Sequence, residues 1–166
     1  MYSKIILNTI LVLLLAIAQL SFISGLPAHL NNLNLILIIL IFILSLVNLN
    51  TAMWWAVGAG FLLDIFSFMP FGAYSVCLFL TIAIANFLLV NFFTDRSLYS
   101  FLALTGLATV IYEFFLTFWG WPVSLSSGFW IEKISQLGFN LLAVLLIFYL
   151  VHYISNRLKP VFLVRR

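Results

Sequence analysis

Residues 60–72 read GFLLDIFSFMPFG and place one carboxylate, Asp64, inside a strongly apolar chain. A charged side chain at membrane depth is costly unless it is paired, protonated or facing a cavity. Only four acidic residues occur among 166, so the position of each acid is informative. Asp64 is therefore a candidate functional residue.

The composition around this stretch is that of an integral membrane protein. Hydrophobic residues make up 66% of the chain, charged residues 7%, and the mean hydropathy is +1.27, whereas soluble domains carry about 25% charged residues. Residues 1–166 are predicted to form one membrane domain in the lipid bilayer. The net charge of +3 indicates basic membrane edges rather than a nucleic-acid partner. One cysteine excludes an intrachain disulfide and a cysteine-based metal cluster, and we expect no metal and no cofactor.

Apolar runs separated by Gly/Pro and polar breaks predict an all-α polytopic membrane protein with about six transmembrane helices. The third is short, at about 17 residues the lower limit for a span, and Thr51 is its predicted N-cap. The first run exceeds the roughly 7–15 apolar residues of a signal peptide and is read as a retained helix. The predicted spans are residues 5–24, 33–49, 52–68, 73–93, 98–118 and 130–153.

Basic residues predict the orientation. With six spans, only Lys133, beside Glu132, falls on the side opposite the termini. The positive-inside rule then places both termini in the cytoplasm. The basic residues on the cytoplasmic side are Lys4, Arg96, Arg157, Lys159, Arg165 and Arg166.

Small residues lead up to Asp64 along the third segment. Ala52, Ala56, Gly60 and Asp64 recur every four residues and share one helix face. Small residues at this spacing let another backbone approach closely in lipid. Two interpretations stay open: the face receives a partner helix, or it packs within the chain and Asp64 caps a neighbouring helix.

The fifth segment carries a second polar face, formed by Thr105, Thr109, Glu113 and Thr117. Glu113 and Asp64 both lie late in outward-running segments, at similar depth, where we expect no Lys or Arg. We therefore expect protonation by desolvation, hydrogen bonds from Asn, Thr or Ser, or a partner's complement. The other membrane polar residues are interpreted as interhelical hydrogen bonds: Gln19, Asn34, Asn86, Gln136 and Asn140.

No catalytic residue is predicted. The surroundings of Asp64 and Glu113 do not match the local motifs of intramembrane aspartyl enzymes, and neither histidine is placed to activate a membrane serine. There is no HExxH, Walker or dinucleotide motif. A transporter would show inverted repeats with broken helices, and none is visible. A small non-enzymatic membrane subunit fits best.

The chain resembles the MreD family, the small membrane subunit of the bacterial rod-shape system. Gly60, Asp64 and Gly72 match the Gly/Asp pattern of that family, and Pro70 stands where the family often has proline. Phe68 replaces the middle glycine of the pattern. The family also tends to carry an acid in the fifth segment, similar to Glu113.

The resemblance implies a scaffold in the bacterial cytoplasmic membrane. Such a protein binds MreC, a bitopic membrane protein, and helps to couple MreB filaments indirectly to peptidoglycan synthases. In that interpretation Asp64 and its small-residue face organise the fold or receive a partner helix. The family is also similar in fold to the substrate-binding subunits of energy-coupling-factor transporters. The alternative is therefore a small-ligand-binding subunit of a membrane transporter, which needs an outward cavity with convergent polar groups; a lipid-handling subunit is a third possibility.

Overall fold

A computed structural model describes residues 2–23, 33–67, 69–93, 97–119 and 127–162. Within this part, 90% of the structure is helix and no strand occurs, which confirms the all-α prediction. A π-helical segment, Ala18–Ile23, continues the first helix. The α-helices are α1 (Tyr2–Ile17), α2 (Leu35–Leu46), α3 (Leu49–Phe66), α4 (Ala73–Asn91), α5 (Leu98–Trp119) and α6 (Ser127–Phe162).

Four helices of the described part are long and apolar enough to cross a membrane. They are Leu49–Phe66, Ala73–Asn91, Leu98–Trp119 and Trp130–Val151, and they overlap the predicted spans 52–68, 73–93, 98–118 and 130–153. Asn8–Ser21 and Leu35–Leu46 are shorter apolar helices. At about 1.5 Å per residue α2 is about 18 Å long, well below the roughly 30 Å of a hydrocarbon core.

Helix α2 is the centre of the bundle and contacts each of the other five α-helices. A helix that is apolar on all sides is normally buried, and α2 has such a sequence, LILIILIFILSL. The run predicted as span 33–49 is thus a short central helix that the longer helices surround. Its fully buried aliphatic side chains are Ile36, Leu37, Ile38, Leu40 and Ile41.

Asparagine side chains set the starts of α2 and α3. The Asn34 side chain accepts a hydrogen bond from the Leu37 N–H at 3.0 Å, and the Asn48 side chain accepts one from the Thr51 N–H at 2.7 Å. The predicted Thr51 cap was wrong: Asn48 is the cap, so α3 begins at Leu49, three residues earlier than predicted. Phe68, the predicted end of this segment, lies outside the described residues.

The core is aliphatic around α2 and aromatic near α5 and α6. Phe42 stacks on Phe101 with ring centroids 4.8 Å apart, and Phe101 contacts Phe148 at 5.6 Å. Large apolar side chains also cover the outside, including Phe114 and Phe118, which are 66% and 73% exposed. Apolar patches this extensive are rare on soluble monomers, so the surface fits contact with lipid.

The basic residues that predict orientation fall outside what the structure describes. This holds for the side chains of Lys4, Arg157 and Lys159 and for Arg96, Arg165 and Arg166 as whole residues. The orientation of the termini therefore stays a prediction.

Candidate functional site

Asp64 connects the end of α3 to the start of α4. One carboxylate oxygen accepts a hydrogen bond from the Tyr74 N–H at 2.8 Å. The other accepts from the Ser75 N–H at 3.2 Å and from the Ser75 hydroxyl at 2.6 Å. The first N–H groups of a helix lack intrahelical partners and carry the positive end of the helix dipole. Asp64, only 4% exposed, therefore caps α4 from a neighbouring helix, and its oxygens take hydrogen bonds from Tyr74 and Ser75.

The turn between the two helices explains why this cap comes from outside α4. Gly72 is the N-cap residue of α4, with φ of +94° and no side chain to accept a hydrogen bond. Residues other than glycine are strained in this left-handed conformation. The Ala73 N–H donates to the Pro70 carbonyl at 3.1 Å, which closes the turn. Asp64 supplies the acceptor that Gly72 lacks.

Gly60 lets the two helices approach closely enough for this cap. A Cβ built on Gly60 would lie 2.4 Å from the Ser75 Cα and 2.8 Å from the Ser75 nitrogen. Ala52 and Ala56, on the same face, are fully buried within the chain. The small-residue face therefore packs within the chain, and Asp64 caps a neighbouring helix, which was the second of the two interpretations. A partner helix on this face would have to displace elements of the chain itself.

Glu113 lies at the α5–α6 contact and has two side-chain partners. It forms an ion pair with Lys133, and its second oxygen accepts a hydrogen bond from the Gln136 amide at 2.6 Å. The expectation that no cation lies at this depth was wrong. Glu113 stands six residues before the end of α5 and Lys133 six residues after the start of α6. In consecutive antiparallel helices these positions have the same depth, a signal that the sequence contains.

A chain of polar side chains crosses the centre of the bundle. The Asn140 oxygen accepts from the Asn34 N–H at 2.9 Å, and its amide donates to the Thr109 hydroxyl at 3.1 Å. The Gln19 side chain donates to the Leu33 carbonyl at 2.9 Å and accepts from the Leu35 N–H at 2.8 Å. Interhelical hydrogen bonds were predicted for five side chains, and those of Gln19, Gln136 and Asn140 are confirmed. For Asn34 the bond to Asn140 is made by the backbone N–H, while its side chain caps α2, and Asn86 stays a prediction.

Some of these polar groups, Gln19, Asn34 and Gln136, line a cleft of about 260 Å³ at the end of the bundle where α3 ends and α4 begins, hereafter the Glu113 cleft. The Ser67 hydroxyl on its wall is buried and has no hydrogen-bond partner among the described residues. A buried hydroxyl without a partner is costly. A polar group bound in the cleft would therefore be stabilised by a hydrogen bond with Ser67. Its lining residues are Gln19, Leu20, Leu33, Asn34, Leu63, Ser67, Tyr74, Tyr112, Glu113, Leu116, Lys133 and Gln136.

Sequence reasoning missed part of this cleft. Ser67, Tyr74 and Tyr112 carry no motif, and they converge only because α3, α4 and α5 pack together. Asp64 does not line the cleft, because its oxygens face the start of α4. No group of three or more His, Cys, Asp or Glu residues that could hold a metal occurs among the described residues.

Comparison with known protein families, with curated proteins and with solved structures returns no match for this chain. The resemblance to the MreD family therefore rests on the residues themselves and stays a prediction.

Proposed function

We propose that the chain is a non-enzymatic membrane scaffold of the MreD type. It binds an MreC-like bitopic protein and helps to couple MreB filaments to peptidoglycan synthesis. The observation that carries the proposal is that Gly60, Asp64 and Gly72, the three residues of the resemblance, act together. Gly60 permits the helix approach, Gly72 makes the turn, and Asp64 caps the next helix. Because Gly60, Asp64 and Gly72 serve one structural purpose, their match to the MreD pattern supports the resemblance better than three unrelated matching residues would.

We further propose six membrane segments, with both termini in the cytoplasm and a fold similar to energy-coupling-factor substrate-binding subunits. In support, two shorter apolar helices, Asn8–Ser21 and Leu35–Leu46, accompany the four long ones. Single cysteines test this. Asn50, at the start of α3, and Phe71, in the turn that follows α3, are both exposed, and the natural Cys77 is buried. A membrane-impermeant maleimide added to whole cells should label Phe71→Cys and not Asn50→Cys; the reverse pattern would refute the orientation.

The scaffold proposal is tested by affinity purification in mild detergent from native membranes, with mass spectrometry of proteins and small molecules. We expect a bitopic membrane protein to be recovered. Asp64→Leu is unsuited to mapping the interface because it would damage the fold. Cysteines at exposed apolar positions of different helices, such as Phe61, Val90 and Ile134, are instead combined with cysteines introduced along the partner's membrane helix. On addition of an oxidant, disulfide cross-links should form on one face only. Uniform absence of a bitopic partner would refute the scaffold.

A second candidate is favoured by the Glu113 cleft: a small-ligand-binding subunit of a membrane transporter. Such sites are concave, partly apolar and provided with a few convergent polar groups, and the cleft combines four leucines with amides, hydroxyls and an ion pair. Recovery of an ATPase module or a bound vitamin, with no bitopic partner, would decide for this candidate.

A further inference from the structure

The charge of the Glu113 cleft restricts what it can hold. Among the residues that the structure describes, the lining carries one anion, Glu113, and one cation, Lys133, and these two are paired with each other. A ligand with only a positive charge would be repelled by Lys133, and one with only a negative charge would be repelled by Glu113. A ligand that carries both signs can instead face each residue with its opposite, and so can satisfy both at once. The cleft therefore favours zwitterions.

The hydrogen-bonding capacity of the lining adds to this. A carboxylate offers about four acceptor positions, and the described contacts of Glu113 come from one Lys133 donor and one Gln136 donor. Further N–H donors, such as those of a primary ammonium, can therefore be accepted. The buried Ser67 hydroxyl can donate to an anionic oxygen. The Tyr74 and Tyr112 side chains on the wall provide aromatic surface of the kind that attracts ammonium groups.

Position and size point to a small group near the membrane surface. Trp119 and Trp130, both partly exposed, lie at this end of the bundle, and tryptophans mark the headgroup level. Lys133 is three residues beyond Trp130, about 4.5 Å along the helix. The volume of about 260 Å³ is just below the roughly 300–1,000 Å³ of sites for drug-sized ligands. A headgroup or an amino acid fits this space.

We propose that the Glu113 cleft binds a zwitterionic group with a primary ammonium and an anionic oxygen group, the ammonium at Glu113 and the anion at Lys133 and Ser67. Two sources share this chemistry: the headgroup of phosphatidylethanolamine and a free amino acid. This inference rests on the ligand-binding candidate and is independent of the scaffold proposal, because partner recovery tests the scaffold and ligand retention tests the cleft.

The experiment is native mass spectrometry of the delipidated full-length protein with added phosphatidylethanolamine, phosphatidylglycerol or phosphatidylcholine, and in parallel with free glycine. Phosphatidylglycerol lacks the ammonium, and the quaternary ammonium of phosphatidylcholine has no N–H to donate. A charge-assisted hydrogen bond is worth about 1.5–3 kcal/mol. If the ligand is a lipid, we therefore expect phosphatidylethanolamine to be retained at least about tenfold more strongly than the other two lipids. If it is a free amino acid, we expect glycine to be retained. Equal retention of the three lipids together with no glycine binding would overturn the proposal.

Three variants make the test specific. Glu113→Gln should lower retention about tenfold or more, whereas Glu132→Gln, an equal charge change at an exposed neighbour that does not line the cleft, should leave it unchanged. The double variant Glu113→Lys/Lys133→Glu reverses the ion pair but keeps it, so the contact between α5 and α6 is preserved. A free amino acid can turn round in the reversed cleft, whereas a headgroup held by its acyl chains cannot. Loss in the swapped variant therefore identifies lipid and survival identifies a free zwitterion; unchanged retention in Glu113→Gln would refute the site.

Discussion

Replacing Gly60 by alanine is the sharpest test of how α3 and α4 are held together. The added Cβ would lie 2.4 Å from the Ser75 Cα, whereas ordinary contacts begin at 3.4 Å, so the helices must separate by about 1 Å in their closest region. The atom it meets is backbone, which no side-chain rotation can move away. Overpacking of this kind costs typically 1–3 kcal/mol.

The same displacement weakens the cap that Asp64 provides. The Ser75 N–H is already 3.2 Å from the carboxylate, and a shift of about 1 Å takes it beyond hydrogen-bond range. A lost bond to a charged group adds about 1.5–3 kcal/mol. Alanine also favours the helix by about 1 kcal/mol, so we expect Gly60→Ala to lower the free energy of unfolding by roughly 1.5–5 kcal/mol.

The assay is thermal unfolding of the purified protein in mild detergent, and two other helical glycines provide the controls. A Cβ on Gly106 would have its nearest neighbour at 3.8 Å, and one on Gly138 has nothing within 4 Å. Because alanine favours a helix over glycine by about 1 kcal/mol, Gly106→Ala and Gly138→Ala should be neutral or slightly stabilising. If Gly60→Ala unfolds at the same temperature as these controls, the close approach of α3 and α4 is wrong.

Three further substitutions probe the same contacts, each read as the change in unfolding temperature. Asp64→Leu leaves two N–H groups and a hydroxyl without an acceptor, at about 1–3 kcal/mol each, while Asp64→Asn keeps one acceptor oxygen and should lose less; equal stability of the two would contradict the cap. Gly72→Ala forces a Cβ into a left-handed conformation and should cost about 1–2 kcal/mol, with Gly72→Asn less affected; if neither differs from wild type, the turn is wrong. Asn140→Leu removes two buried hydrogen bonds and should cost about 2–4 kcal/mol, and a cost no larger than that of Asn86→Leu would argue against the polar chain.

Much of the fold could be predicted because its causes are local or compositional. Apolar runs long enough to span a bilayer correspond within a few residues to α3, α4, α5 and the Trp130–Val151 part of α6, a helix that continues to Phe162. The four-residue spacing up to Asp64 predicted a close helix contact, and Gly60 makes one. The run at 33–49 forms the 12-residue α2, and its burial by the other helices was not predicted. Hydropathy alone does not distinguish a helix surrounded by protein from one surrounded by lipid.

The sequence by itself determined the class of molecule, the helical segments and the residues that had to find partners, because composition, periodicity and the cost of buried charge act residue by residue. Only the tertiary structure decided what those partners are. Asp64 accepts hydrogen bonds from the first N–H groups of α4, and Glu113 pairs with Lys133 and Gln136. The Ser67 hydroxyl at the cleft has no hydrogen-bond partner among the described residues. Such pairings depend on the approach and rotation of whole helices, which are set by the packing of all side chains together.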